Sequence, residues 1–269
     1  MKILFLGDIV GRAGRDAVAS HLPTIRERLG LDFVIINGEN AAGGYGITSE
    51  ICRALYQVGG DVLTLGNHAF DQRETLAYIG TDNRLLRPLN YPPGTPGRGA
   101  AVFRTQSGRS VLVVQLMTRL FMDPLDCPFA AITNELAKHQ LGRTVDAIVV
   151  DIHGEATSEK QALAHHIDGK VSLAVGSHTH VPTADARLLP KGTAFQTDAG
   201  MCGAYQSVIG MDPGVAIERF VRKLPTARLE PAGGDGMVCG TFIETDDATG
   251  LARRVAPLRI GVGLSEAWP

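Results

Sequence analysis

Gly66-Asn67-His68 and His178-Thr179-His180 each follow an apolar run closed by a glycine, Val62-Leu63-Thr64-Leu65 in the first case and Val171-Ser172-Leu173-Ala174-Val175 in the second. Polar groups set just beyond buried strands occupy the place where an open α/β sheet gathers a functional site. The simplest chemistry for imidazoles and a carboxamide so placed is metal binding. Either segment alone reads as readily as a glycine turn whose polar side chains satisfy nearby backbone. The same form recurs at five strand ends, which carry Asp8, then Glu39 and Asn40, then Asn67 and His68, then Asp151 and His153, and finally His178 and His180. Random placement rarely sets carboxylates, carboxamides and imidazoles at five such points.

Leaving His68 and Asp151 aside, seven donors remain: Asp8, Glu39, Asn40, Asn67, His153, His178 and His180. That is too many for a tetrahedral zinc site with an open position. It suits two metal ions with one carboxylate bridging and solvent between them. Oxygen and imidazole donors without thiolate favour iron, manganese or zinc over a soft metal. Two carboxylates and a bridging hydroxide leave a divalent pair with a net charge of about +1. Such a site attracts a phosphate ester and stabilises the extra charge of its transition state.

The elements that must position these groups alternate along the chain. Strands are expected at 2–6, 33–36, 62–65, 147–150 and 171–175, with helices over 13–29, from the Thr48 cap to 58, near 72–79 and over 157–166. Parallel strands joined by helical crossovers follow, with the donors at one edge of the sheet. Hairpins are expected for 101–104 with 111–116 and for 187–189 with 194–197, and late antiparallel strands at 239–244 and 257–260. Pro88 to Gly99 reads as a loop. Nothing resembles a linker or a repeat, so residues 1–269 are expected to form one layered α/β domain.

Apolar residues make up 44% and charged residues 20%, as in an ordinary soluble globule, and the net charge of −2 speaks against a polybasic membrane binder or an extended nucleic-acid surface. No apolar run reaches the length of a membrane span. The N-terminal apolar stretch meets Asp8 too soon for a signal peptide. Cys52, Cys127, Cys202 and Cys239 are far apart and form no CxxC, which points to reduced thiols in the cytoplasm. Cys202 is expected in a glycine-rich loop bordering the site. Gly43-Gly44-Tyr45-Gly46 lacks the Gly-Lys-Ser/Thr ending of a phosphate loop and reads as a loop over the metals. His21, His139 and the His165-His166 pair lie in helical stretches and read as structural. Asp151 fits either a partner that orients a ligand imidazole or a strand-end cap, and Arg12 fits either a phosphate contact or a surface ion pair.

The strand-end motifs resemble those of the calcineurin-like metallophosphoesterases, whose signature runs GDxH, GDxxD, GNH[ED], a lone His and GHxH. This chain has Gly7-Asp8-Ile9-Val10, Gly38-Glu39-Asn40, Gly66-Asn67-His68-Ala69, His153 and Ser177-His178-Thr179-His180. Val10 stands in place of the first histidine and Glu39 in place of the bridging aspartate, and Asn40 can replace the donor that Val10 lacks. That pattern resembles a narrower group, the YmdB-like bacterial cyclic-nucleotide phosphodiesterases. The resemblance extends through Asn37 to Gly44, Asp151 to Lys160, Gly176 to Val181 and Thr197 to Gly203. It implies the layered calcineurin-like fold, with largely parallel central strands, flanking helices and late antiparallel strands. It further implies that Asp8, Glu39, Asn40 and His180 hold one metal, that Glu39, Asn67, His153 and His178 hold the other, and that the metals are iron.

By the same resemblance a metal-bound hydroxide attacks phosphorus and His68 is the proton donor to the leaving oxygen. The implied substrates are 2′,3′-cAMP and 3′,5′-cAMP or another small phosphodiester, and a homo-oligomer is consistent with the group. The alternatives are a nucleotidase or broader phosphomonoesterase, since one fold and metal site support many esters, and a metal-stabilised regulatory protein. His68 separates the last from an enzyme, because a structural metal site has no use for a proton donor that is not a ligand.

Overall fold

The computed structural model describes residues 1–224 and 227–269. Two six-stranded sheets face one another. The first runs, in spatial order, β14 (Ala252–Gly261), β13 (Met237–Thr245), β1 (Lys2–Leu6), β3 (Phe33–Asn37), β4 (Val62–Thr64) and β5 (Leu85–Leu86). The second runs β10 (Arg187–Leu188), β11 (Ala194–Gln196), β9 (Leu173–Ser177), β8 (Ala147–His153), β7 (Ser110–Met117) and β6 (Ala100–Arg104). A short parallel pair, β2 (Asp8–Ile9) with β12 (Met201–Cys202), lies beside the first sheet. The helices are α1 (Gly11–Leu29), α2 (Ser49–Gln57), α3 (Arg73–Tyr78), α4 (Pro128–Leu136), α5 (Thr157–His166) and α6 (Pro213–Arg222).

Strand alternation builds the layers, because successive side chains point to opposite faces. Ile3 and Phe5 of β1 and Phe33 and Ile35 of β3 meet Val111, Val113, Val149, Leu173 and Val175 of the other sheet, forming a dry core between the two. Their neighbours Leu4, Leu6, Val34 and Ile36 turn outward onto Val18, Leu22 and Ile25 of α1 and Leu55 of α2. On the far side Leu112, Val114, Ile148 and Val150 pack against Ile132 of α4 and Leu163 of α5. The order of layers is therefore helix, sheet, sheet, helix. Local signals set the helix ends. Thr48 accepts from the Ile51 amide at 3.3 Å to start α2, and Gly30 in the left-handed region closes α1. Among the described residues, no helix is long and apolar enough to cross a membrane.

The parallel strands, both hairpins and the late antiparallel pair match the sequence expectations. One edge of one sheet does not. Strands β1, β3 and β4 belong to the first sheet and β8 and β9 to the second, so the donors hang from the carboxyl edges of two facing sheets. An apolar run reports burial on both faces and says nothing about which strand lies alongside. β8 also runs on to His153 and β9 to Ser177, past the end of each apolar run, because their polar residues are themselves wholly buried. Helices α4 and α6 carry no clear expectation in the sequence. α6 buries only Ala216, so it lacks the apolar stripe that marks a core-facing helix.

Cys202 is corrected as well: it lies on β12, wholly buried, with its thiol toward the Cys239 carbonyl at 3.5 Å. All four cysteines are free, and only Cys127 is partly accessible. Burial pushes the thiols of Cys52 and Cys202 up, and that of Cys239 to about 11. Ellman's reagent at neutral pH is expected to label Cys127 in the folded protein and all four thiols after unfolding. An intramolecular disulfide found by mass spectrometry would contradict this.

Candidate metal centre

The two carboxyl edges converge on one cluster. Asp8, Glu39, Asn40, His153 and His180 are buried there, and Asn67, His68 and His178 are half-buried. Donor atoms of Glu39, His153 and His178 lie within 4.8 Å of one another, as do those of Asp8, Glu39 and His180, so Glu39 belongs to both groups. Asn67 Oδ1 is 2.9 Å from His153 Nε2, and His178 Nδ1 is 3.2 Å from the same nitrogen. The Asn40 amide nitrogen is 3.1 Å from both Glu39 Oε1 and His180 Nε2. A half-turn of that carboxamide presents its oxygen to a cation at the same point. Asp8 Oδ1 is buried without a hydrogen-bond partner. An orphaned buried acceptor costs about 1–3 kcal/mol, a cost that a cation beside it removes. The donor set and this orphan fit bound metal.

The electrostatics fit as well. Burial raises the Asp8 carboxyl to about 6, against the pull of His180 and His153. Burial also opposes ionisation of Glu39, but His153, followed by His68 and His178, holds its carboxyl well below the usual range. His153 is driven down by burial, yet Glu39, Asp8 and Asp151 together lift it to about 9. His178 falls to about 3 through burial and the charge of His153. The pull on the His153 proton, which faces Glu39, Asn67 and His178, is the pull a cation at that point would feel.

Each imidazole is aimed by its other nitrogen. His153 Nδ1 donates to Ser177 Oγ at 2.9 Å, and that hydroxyl donates to Asp151 Oδ1 at 2.6 Å. Asp151, raised by burial, also accepts from Thr64 Oγ1 at 2.6 Å, Asn37 at 3.2 Å and Gln115 at 3.3 Å. It thus orients the His153 imidazole through Ser177 rather than serving as a strand-end cap. His180 Nδ1 donates to the Ile209 carbonyl at 2.7 Å, and His178 Nε2 faces Glu155 at 3.3 Å. His68 stands apart from both donor groups. Its amide donates to Glu39 Oε2 at 3.3 Å, its Nδ1 is 2.9 Å from Asp71, and its ring lines a cavity of about 430 Å³ over the cluster. Gly66 makes the centre possible, since a Cβ there would overlap both Glu39 Oε2 and His153 Nε2.

Lys160 and Asp198, to which the sequence assigns no role, brace the turn that carries His178 and His180. Both are wholly buried, and Lys160 Nζ donates to Asp198 Oδ2 at 2.8 Å and to the Ser177 carbonyl at 2.7 Å. The same Asp198 oxygen accepts from the Thr179 amide at 3.1 Å and its hydroxyl at 2.7 Å. Thr179 sits between His178 and His180, whose φ angles of 96° and 66° are unfavourable for residues with a Cβ. The pair therefore clamps a strained turn that carries two donors. Lys160 holds the Asp198 carboxyl low despite its burial. The signal was available: Lys160 precedes Leu163 and Ala164 by one helical turn and so lies on the core face of α5.

The remaining polar candidates fall outside the cluster. Arg12 is exposed beside Gly43 and Pro231, away from the cavity lining. His166 meets Thr133 at 2.9 Å and His139 meets Glu135 at 3.5 Å, both structural. Tyr45 lines the cavity, so the glycine-rich loop does border the site.

Comparison with known proteins accords with this geometry. The YmdB-like protein family matches residues 4–258. The chain belongs to that family. A 2′,3′-cyclic-nucleotide 2′-phosphodiesterase of Bacillus subtilis is 44% identical over 260 residues, covering 97% of each chain. A crystal structure of a hypothetical protein from Thermus thermophilus superposes with a TM-score of 0.90 at 43% identity, covering 97% of this YmdB-like chain and 99% of the other. A phosphatase from Mycoplasma pneumoniae gives 0.89 at 33% identity, covering 97% and 93%.

The Lys160–Asp198 clamp separates stability from positioning. Lys160→Met alone is expected to cost about 3–5 kcal/mol in urea unfolding, because it strands a buried carboxylate. Lys160→Met with Asp198→Leu should recover most of that stability but not metal affinity, since Thr179 loses its anchor. Full recovery of both in a metal titration would show that the pair is merely structural.

Proposed function

We propose that this YmdB-like chain acts as one domain over residues 1–269, a cytoplasmic two-metal phosphodiesterase that opens 2′,3′-cyclic nucleotides to nucleoside 3′-phosphates. The observation that carries this reading is the sharing of Glu39 by two donor groups beside a non-ligating histidine. Asp8, Glu39, Asn40 and His180 would hold one ion, and Glu39, Asn67, His153 and His178 the other. Iron suits these oxygen and imidazole donors, and manganese or zinc would be accommodated. When bound, the ion pair would supply Lewis acidity and a nucleophile at neutral pH. The free thiols of all four cysteines support the cytoplasmic setting.

The protein's own part is to orient and to move a proton. Asn67 and Glu39 bracket the His68 backbone, which sets that imidazole at the cavity wall beside the donor cluster. Asp71 accepts the Nδ1 proton and fixes the ring, leaving Nε2 to serve the leaving oxygen. Water adds its oxygen to phosphorus, the P–O2′ bond breaks, and O2′ takes the proton from His68, while the proton lost by water passes to solvent. A purely structural metal site has no use for this histidine. The name of the Bacillus subtilis relative supports the cyclic-nucleotide substrate, and the Mycoplasma pneumoniae phosphatase keeps phosphomonoesters as a second reading. A panel of 2′,3′-cAMP, 3′,5′-cAMP and nucleoside monophosphates decides among them.

His68→Ala is expected to retain its metals and lose roughly 10²- to 10⁴-fold in kcat on 2′,3′-cAMP, whose ribose oxygen needs a proton to leave. The loss should shrink on bis(p-nitrophenyl) phosphate, whose phenolate leaves unaided. Equal losses on both esters, with metal lost in parallel, would defeat the proton-donor role.

A further inference from the structure

The cavity holds more than a phosphate requires. Beyond the ion cluster its wall is formed by Tyr45, Ile209, Met211 and Leu229, with Arg219 among the lining residues. Tyr45, Met211 and Leu229 pack as one apolar cluster. This wall is wrong for water or a phosphoryl group and right for a flat, weakly polar ring. Its volume of about 430 Å³ falls within the range of small-molecule sites.

Tyr45 is the ring next to the proton donor. It meets His68 edge to face, with centroids 5.2 Å apart and planes at 87°. The Arg228 guanidinium carbon lies 4.3 Å from the Tyr45 ring centroid. Among the described residues, neither Arg219 nor Arg228 forms a salt bridge, and nothing bonds to the Tyr45 hydroxyl. The backbone behind the ring is pinned instead, by Gln72 Nε2 donating to the Tyr45 carbonyl at 2.7 Å. The ring is thus held by its loop and by packing, with the exposed Arg228 guanidinium over one face, so the ring and guanidinium together form one stacked surface that serves as the recognition element. Aromatic rings and guanidinium planes stack on nucleobases, and every base offers such a face.

We propose that Tyr45 and Arg228 form a nucleobase platform, a subsite for the base of the nucleotide being opened. This rests on the phosphodiesterase reading above. If His68 protonates the ribose oxygen, the ribose lies against His68, and the base one sugar further on reaches Tyr45 and the apolar wall. The ion cluster holds the phosphate and the platform selects esters that carry a base. Stacking is tolerant of base identity, so the platform favours nucleotides over base-free esters more than one base over another.

The test compares 2′,3′-cAMP with methyl riboside 2,3-cyclic phosphate, which has the same strained ester and no base, on the metal-loaded enzyme. Wild type is expected to favour the nucleotide roughly 5- to 100-fold in kcat/KM, the worth of one stacked base. Tyr45→Ala should collapse that ratio toward one, mainly through KM, Arg228→Leu should reduce it in part, and Tyr45→Phe should preserve it. A wild-type ratio near one, or a Tyr45→Ala loss equal on both esters, overturns the platform. Titration calorimetry with 3′-AMP and ribose 3-phosphate asks the same question without turnover. If wild type hydrolyses neither ester yet binds 3′-AMP at least fivefold tighter, and Tyr45→Ala removes the difference, the phosphodiesterase reading fails and the platform stands. Equal binding of the two ligands overturns it.

Discussion

Four carboxylates, Asp8, Glu39, Asp151 and Asp198, are packed where at most 1% of each residue meets solvent. Charges in such a place persist only when paired or ligated. Each is answered differently. Asp198 has the Lys160 ammonium, and Asp151 has hydroxyl and amide donors from four residues. Glu39 has the imidazole of His153, and Asp8 keeps one oxygen with no partner. The unfinished balance at Asp8 and Glu39 is what would draw a cation to the proposed centre. The completed balances at Asp151 and Asp198 hold the imidazoles and the His178-Thr179-His180 turn in place.

Rigid elements make that balance possible. The donors come from the ends of β1, β3, β4, β8 and β9, strands whose alternate side chains are locked between a helical layer and the inter-sheet core. Positioning donors from strand ends gives a precision that a mobile loop does not. Close approach of the two edges needs a residue without a side chain, and Gly66 supplies it between Glu39 and His153. The other side of the cavity is lined from outside the sheets, by Tyr45 and Leu229 in irregular segments and Arg219 on α6.

Sequence alone picks out the residues that cluster here because each follows a recognisable apolar run, and the signal is the repetition of that form. It could place the elements because Leu4, Val34 and Ile148 alternate with residues of the opposite core. It could not assign the strands to two sheets, since pairing is decided by connections such as the segment between β5 and β6 rather than by hydrophobicity. Asp151 stayed ambiguous because its role passes through Ser177, a residue with no distinctive local signature. Lys160 was overlooked although its helical register marks it as buried, and its partner Asp198 is 38 positions away.

Metal content of wild type beside two variants bears most directly on the shared role of Glu39. Elemental analysis after reconstitution, with anomalous scattering from crystals, should find two adjacent ions per chain in wild type. Glu39→Gln should lose both ions, because the charge removed is felt at each, whereas Asn40→Ala should weaken only the ion held with Asp8 and His180. A single tetrahedral ion in wild type, or equal occupancies in the two variants, would contradict a centre built around Glu39 as a bridge.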